Sequence, residues 1–189
     1  MLRALTFLIS VLAVLPSAGA ASTHGQHGNA ISIHGVYGDL HLALGGVQHS
    51  DVNFNPGFAS LSVGVWLWKG IGIEVFGDKG LNAGNDGDFD LEITDASGFA
   101  ARFQSPSSDG MFAYVVLGVV NTRIEQAEDD NDVQPLLVQN YRGGRLSIGF
   151  GRELQIIPGG RLTAEYRNYF VDDDLQMDAL SVGLQLNFR

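Results

Sequence analysis

Apolar and polar residues alternate with a period of two along most of the chain after residue 33. Two segments, 59–68 and 71–76, alternate in this way on either side of Lys69–Gly70, which predicts two strands joined by a tight turn. Successive side chains of a strand point to opposite faces, so each pattern predicts one apolar face and one small or polar face. The last such stretch is the most regular, with apolar residues at every second position: Leu180, Val182, Leu184, Leu186 and Phe188.

Eight strands are predicted in all. The first spans Val36–Val47, the fourth begins between Phe89 and Ser97, and the last is the regular stretch just described. Long polar connections are predicted after the first, third, fifth and seventh strands: Gly46–Pro56, Gly77 to about Asp90, Glu125 to about Gln139, and a loop beginning at Val171. Short turns are predicted after the second, fourth and sixth: Lys69–Gly70, Ser105–Gly110 and Ile157–Gly160.

This sorting of connections by length favours a membrane barrel over a soluble β protein. Bacterial transmembrane barrels have an even number of strands, short periplasmic turns and longer outer loops. A closed barrel also leaves no strand edge to be satisfied in lipid. The predicted fold class is therefore all-β, an eight-stranded antiparallel up-and-down transmembrane β-barrel. A soluble sandwich is the alternative, but its wet polar face would be expected to carry more lysine than Lys69 and Lys79.

The N-terminus predicts export. Met1–Arg3 is short and positive, Ala4–Leu15 is apolar but shorter than the ~20 residues of a membrane-spanning helix, and Ala18–Ala20 is an A-x-A cleavage pattern. Cleavage is expected after Ala20 or Ala21, and the mature protein is expected in the outer membrane of a Gram-negative bacterium. The predicted organisation is a signal peptide over 1–20, a polar leader over 21–32 and a barrel over 33–189.

The charge and composition of the chain limit the classes of partner that it can bind. The 189 residues carry a formal net charge of −10, which repels nucleic-acid phosphates and argues against a nucleic-acid partner. The absence of cysteine from the sequence excludes disulfides and thiolate chemistry. Acidic runs such as Glu128–Asp132 fall in predicted loops and indicate a divalent cation or a basic surface ligand as candidate partners. Asn85–Asp90 spaces oxygen donors like a calcium loop but lacks the later bidentate Glu, so a solvated loop is favoured and no cofactor or metal is predicted.

The less apolar strand faces carry charges of both signs. Because an unpaired buried charge costs several kcal/mol, these groups are expected to pair with one another. The interior of an eight-stranded barrel is narrow enough for side chains to fill. The sequence therefore predicts a lumenal charge cluster that plugs the barrel, with these members: Asp39, His41, Glu74, Arg102, Arg145, Glu165 and Arg167.

Two alternative functions stay open, a lipid-modifying enzyme of the lipid A deacylase type and a narrow pore. Nucleophilic catalysis needs Ser, His and a carboxylate in register. The candidates are His49–Ser50 with Asp51, and Ser60 or Ser62 with His41. Adjacent residues on a strand point to opposite faces, and His41 is better explained as a packing residue, so no catalytic residue is predicted. A plugged lumen argues against passage of anything larger than water or small ions.

A family resemblance rests on three stretches of the chain: Leu61–Trp68, Leu162–Arg167 and Leu180–Phe188. Through them the chain resembles the small eight-stranded outer-membrane β-barrels of Gram-negative bacteria. That superfamily includes the opacity and attachment-invasion adhesins and the outer-membrane protein A barrel. The resemblance implies a structural or surface-interaction role, contact with outer-membrane lipid and lipopolysaccharide, and no enzymatic activity. It also implies that the barrel-assembly machinery reads the last strand as an assembly signal through Leu180, Val182, Leu184, Leu186 and Phe188. In this sequence Arg189 follows the aromatic residue, which departs from the family pattern.

Overall fold

The computed structural model describes residues 33–49, 52–82, 84–86, 89–128, 137–172 and 175–188. Within them, eight strands build the barrel wall: β1 Gly35–His49, β2 Gly57–Trp68, β3 Ile71–Asn82, β4 Phe89–Gln104, β5 Met111–Glu128, β6 Leu137–Glu153, β7 Gly160–Asp172 and β8 Leu175–Phe188. Two three-residue strands, Val52–Phe54 and Gly84–Asp86, lie between β1 and β2 and between β3 and β4.

The sheet closes on itself. Every strand pairs antiparallel with the one that follows it, and β8 pairs with β1 along fourteen consecutive positions, from Val36 opposite Phe188 to His49 opposite Leu175. The predicted eight-stranded antiparallel barrel is confirmed. No helix of the described ranges is long and apolar enough to cross a membrane.

The predicted strand faces are confirmed on all eight strands. On β1, Leu40, Leu42 and Leu44 point outward and are exposed, whereas Asp39 and His41 point inward and are buried. Trp68 is the exception, because the alternation predicts it on the inward face of β2 and it is exposed. A register shift between Trp66 and Trp68 puts an extra residue into β2, and a bulge of this kind reverses the alternation beyond it.

The strands run further than predicted, so the connections are shorter. β3 continues to Asn82 and β5 to Glu128, both inside segments predicted as loops. The long loop predicted from Val171 is wrong, because Asp172 already pairs with Leu175 across a tight hairpin. The predicted calcium-like segment is a hairpin in which Asn85 pairs with Asp90. Polar composition suggested loops here, but ladder hydrogen bonds to neighbouring strands hold these residues in the sheet. All three predicted short turns are confirmed.

Aromatic rings inside the barrel lie over glycines. Six inward-facing rings each stand directly opposite a glycine of the neighbouring strand, and a Cβ on that glycine would press against the ring. The ring occupies the space that a side chain opposite would need, which is how large groups fit into a narrow barrel. The pairs are Tyr37–Gly64, His41–Gly183, Trp66–Gly72, Phe76–Gly98, Phe112–Gly151 and Tyr114–Gly149.

The tightest of these positions gives a stability prediction. A Cβ at Gly98 would overlap the carbonyl oxygen of Val119 and would lie 2.7 Å from Phe76 Cζ. We expect Gly98→Ala to lower the free energy of unfolding by about 1–3 kcal/mol, because the backbone of β5 has to move. Denaturant titration of the barrel in detergent micelles measures this.

Gly46→Ala is the matched control, because a Cβ at Gly46 meets nothing within 4 Å. Equal stability of the two variants would contradict the close approach of β4 and β5 at Gly98.

Candidate functional site

The barrel interior holds a network of buried charged side chains. The structure buries all seven residues of the predicted cluster: Asp39, His41, Glu74, Arg102, Arg145, Glu165 and Arg167. It adds Asp78, which is buried on β3. Each of these residues is at an inward position of its strand. Because side chains alternate between the two faces of a strand, the same alternation that directs apolar residues outward directs these charges to the interior.

One group of contacts centres on Arg102 of β4. Its Nη1 donates to Asp39 Oδ2 at 2.5 Å and lies 3.5 Å from Glu74 Oε2. Tyr37 Oη donates to Glu74 at 2.8 Å, and Gln185 Nε2 donates to Asp39 at 3.3 Å. Asp39 belongs to β1, so the Arg102–Asp39 ion pair joins strands that are separated by β2 and β3 in the wall.

A second group centres on Arg167 of β7. Its Nη1 donates to Asp78 at 3.1 Å and its Nε to Glu165 at 2.8 Å. Arg145 also donates to Glu165, at 3.2 Å. Asp78 in addition accepts hydrogen bonds from Ser60 and Tyr169. Because Arg167 is on β7 and Asp78 on β3, this ion pair crosses the interior from one side of the wall to the other.

The arginines also stack on the rings that cover the glycines. The guanidinium carbon lies 3.9 Å from the ring centroid for Arg102 on Tyr114, 4.2 Å for Arg145 on Phe76 and 4.7 Å for Arg161 on Phe112. At these distances the cation is attracted to the ring face. Each of these three rings therefore contacts both a glycine of the wall and an arginine, so the interior is layered as well as charged.

The charges of the interior nearly cancel. Among the side chains that the structure describes, four carboxylates and three guanidiniums are buried: Asp39, Glu74, Asp78 and Glu165 against Arg102, Arg145 and Arg167. Arg161 lies nearby and is partly exposed, donating to Gln185 at 3.3 Å and to Glu153 at 3.2 Å. Fixed pairs of this kind hold side chains in place across the interior.

The candidate residues His41 and Ser60 lie directly opposite each other on β1 and β2 but are not joined by a hydrogen bond. His41 Nδ1 lies 3.1 Å from Ser181 Oγ, and its Nε2 lies 3.5 Å from Thr163 Oγ1. Ser60 donates instead to Asp78, so the pairing of His41 with Ser60 or Ser62 is not formed. The structure does not describe the side chains of the other candidates, His49, Ser50 and Asp51. Within the described ranges no group of three His, Cys, Asp or Glu side chains is placed to hold a metal ion.

Sequence reasoning missed Asp78 and the tyrosines. Asp78 fell in the predicted loop from Gly77, although its spacing from Glu74 and Phe76 continues the inward positions of β3. That continued alternation is the signal that identifies it. Tyr37 and Tyr169 were not singled out, because their hydroxyl partners, Glu74 and Asp78, are on strands distant in sequence.

Comparison with known proteins identifies the fold. No protein-family model and no curated protein sequence matches the chain. Among solved structures, Neisserial surface protein A is 18% identical, with 81% of this chain and 97% of that chain covered and a TM-score of 0.63. Ail, the attachment invasion locus protein of Yersinia pestis in complex with the heparin analogue sucrose octasulfate, is 13% identical, with coverages of 82% and 99% and a TM-score of 0.59. OprG from Pseudomonas aeruginosa is 10% identical, with coverages of 83% and 97% and a TM-score of 0.50. The chain has the fold of the small eight-stranded outer-membrane β-barrels.

The ion pairs of the interior give a second prediction. Arg102→Met leaves Asp39 and Glu74 facing each other without their cation, and we expect a loss of about 3–5 kcal/mol in the free energy of unfolding. Adding Asp39→Asn removes one of the stranded charges and should recover part of the loss. Tryptophan fluorescence during urea unfolding in lipid vesicles measures both variants.

The control is Glu153→Gln, which breaks the pair with Arg161 at a position where the Glu153 side chain is 46% exposed. We expect this variant to lose at most about 1 kcal/mol. If Arg102→Met is as stable as Glu153→Gln, the buried network does not stabilise the barrel.

Proposed function

We propose that this protein is inserted in the outer membrane of a Gram-negative bacterium after removal of its signal peptide, and that it anchors a surface-interaction element. The barrel supplies the anchor, and the strand ends and connections at the outer end make the interaction. The proposal assigns no catalytic step, since His41 and the Ser181 hydroxyl that it contacts are both buried inside the barrel.

The observation that carries the proposal is the reversed polarity of the barrel. Large apolar side chains are exposed all around its outer face, while the seven residues of the predicted charge cluster and Asp78 are buried inside. On β8 the apolar outward run spans Leu180–Phe188, and on β5 it spans Met111–Val119. Each run is nine residues long, which agrees with the ~9–11 residues of a tilted strand that crosses a bilayer. Asp178 and Asn121 bound these runs at the same end of the barrel, where lipid head groups would begin.

The cross-interior ion pairs support a closed lumen. Arg102–Asp39 and Arg167–Asp78 join strands that are not neighbours, and rings fill the space beside them. We therefore propose a plugged interior and no general porin activity. Single-channel recordings with a stable, large conductance would contradict this part.

Charge favours a basic surface partner or a divalent cation. The chain has a formal net charge of −10, and its connection over 129–136 carries three aspartates in sequence: Asp129, Asp130 and Asp132. A polysulfated ligand such as the heparin analogue in complex with Ail would be repelled by this charge. Binding assays on whole cells that display the intact protein or a variant lacking 129–136 test the role of this segment.

Membrane insertion can be tested on the outer face. Val182 is 62% exposed in the middle of the apolar run of β8. In lipid, Val182→Arg should cost about 2–4 kcal/mol of folding free energy, because an arginine near the bilayer midplane loses its hydration. The folded fraction is measured by heat-modifiable gel mobility of the membrane-extracted protein, in which a folded barrel migrates differently before and after boiling.

Ile156→Arg is the control, since Ile156 is 87% exposed in the short turn between β6 and β7 and should tolerate a charge. Unchanged mobility on boiling, together with recovery of the parent protein from the soluble periplasm, would refute the membrane proposal.

The predicted assembly signal gives a separate test. We propose that the outward residues of β8, ending at Phe188, are recognised by the barrel-assembly machinery. Phe188→Ala should then lower the amount of folded protein in the outer membrane, while urea-unfolded Phe188→Ala should refold into detergent micelles with the parent yield. Phe150→Ala, at an outward phenylalanine of β6 with 62% exposure, is the matched control. Equal loss for both variants in cells would show that β8 holds no special signal.

A further inference from the structure

Several buried polar atoms inside the barrel have no hydrogen-bond partner among the residues that the structure describes. Most of them belong to the adjacent strands β4, β5 and β6: Gln104 Oε1, Arg102 Nε and Nη2, Arg145 Nη1 and Thr122 Oγ1. Asp39 Oδ1, in the ion pair with Arg102, is a further atom of this kind. Elsewhere in the interior, Arg167 donates from both Nε and Nη1, and both carboxylate oxygens of Asp78 accept. The unpartnered atoms are therefore concentrated on the β4–β6 side.

These atoms form a line along the strands. Gln104 is opposite Tyr114 of β5, and Thr122 is further along β5, opposite Ala96. At about 3.4 Å per residue, positions 114 and 122 are about 27 Å apart, or about 20 Å along the axis of a barrel whose strands tilt by about 40°. The line therefore crosses most of the ~25 Å apolar band of an outer-membrane barrel.

Two arginines fill the interval between the ends of the line. The Arg102 guanidinium stacks on the ring directly opposite Gln104. The Arg145 guanidinium stacks on Phe76, which is one inward row from Thr122. Stacking covers the faces of a guanidinium but leaves its N–H groups free in the plane of the group. The unpartnered nitrogens thus continue the line from Gln104 towards Thr122.

Water is the ligand that matches this set of atoms. Buried polar groups of native proteins bond to protein or to ordered water in about 90% of cases or more. The line contains donors on Arg102 and Arg145 and acceptors on Gln104 and Asp39. A cation would satisfy only the acceptors and an anion only the donors, whereas water both donates and accepts. One buried water makes about three hydrogen bonds, so a few molecules can serve all of these atoms.

We propose that a single column of ordered water follows the β4–β6 side of the interior, and that the barrel conducts water across the membrane while it excludes ions and larger solutes. Ala100 and Gly118 leave the wall thin beside Arg145, because all three residues share one inward row. The guanidiniums oppose the passage of cations, and the carboxylates paired with them oppose that of anions. The inference requires the proposed insertion in a membrane but no particular surface partner.

Contact with water can be measured inside the barrel. Solid-state NMR of the mature protein in lipid bilayers detects magnetisation transfer from water to arginine Nε–H groups. We expect strong transfer to Arg102, whose Nε has no partner among the described residues. Transfer to Arg167 should be weak, because its Nε donates to Glu165 at 2.8 Å. Arg167 is a matched internal control, since the two arginines are equally buried, at 1% and 2% exposure.

Osmotic shrinkage of proteoliposomes, followed by stopped-flow light scattering, measures conduction. The parent barrel should shrink vesicles faster than protein-free lipid does, without an ionic current in planar bilayers. Ala100→Leu fills the column and should return shrinkage to the rate of protein-free vesicles. Ala101→Leu is the matched control, since this next residue lies between the exposed Phe99 and Phe103 on the outward face and should leave the parent rate unchanged. Thr122→Val removes a hydroxyl at nearly constant volume and should slow shrinkage without overpacking the interior.

Heat-modifiable mobility establishes which samples are folded and inserted. A parent barrel that does not insert refutes the membrane proposal, whereas an inserted barrel that fails the tests refutes this inference alone. Transfer to Arg102 but not to Arg167, faster shrinkage by the parent, and its loss in Ala100→Leu or, if that variant does not fold, in Thr122→Val support the inference. Equal transfer to both arginines, parent shrinkage at the rate of protein-free vesicles, no effect of either variant, or an ionic current overturns it. Transfer to Arg102 without faster shrinkage also overturns it, in favour of a closed water cluster.

Discussion

The narrow interior of an eight-stranded barrel is the constraint on which the rest of this structure depends. A ring on one strand needs room on the next, and at six positions that room comes from a glycine directly opposite. Arginines then stack on three of these rings, Phe76, Phe112 and Tyr114. Six of the 25 glycines therefore serve packing inside the wall, and their effect is to let large and charged side chains fill the same small space.

The layered interior explains how the charges are tolerated. Arg102 and Arg167 each contact two carboxylates, and their ion pairs connect β4 with β1 and β7 with β3. Removing Arg102 would leave the buried carboxylates of Asp39 and Glu74 without their cation, so the arginines stabilise the closed arrangement through the partners that they share. An interior filled in this way is suited to hold the wall together. An interaction with another molecule is therefore expected at the ends of the barrel.

The sequence predicted the faces of the strands because the alternation of apolar and polar residues can be read within a short stretch of chain. It predicted seven buried charged or titratable residues for the same reason, but it did not predict their partners. Arg102 meets Asp39 across 63 positions of sequence, and that contact depends on strand register and closure, which no local pattern contains. Asp78 was missed and Trp68 misassigned at places where local signals fail, a polar strand end and a bulge.

Strand length varies around the barrel wall, from 12 residues in β2 and β3 to 18 in β5. In a closed barrel, two neighbouring strands pair along their whole length only where they are equally long. β6 and β7 are not, because β6 begins seven residues before its first pairing with β7. The β7–β8 hairpin turns early at Asp172 and Leu175, so β5 and β6 rise beyond it. The short β7–β8 hairpin, predicted from composition to be a long loop, is therefore the feature that makes the strand lengths unequal at this end of the barrel.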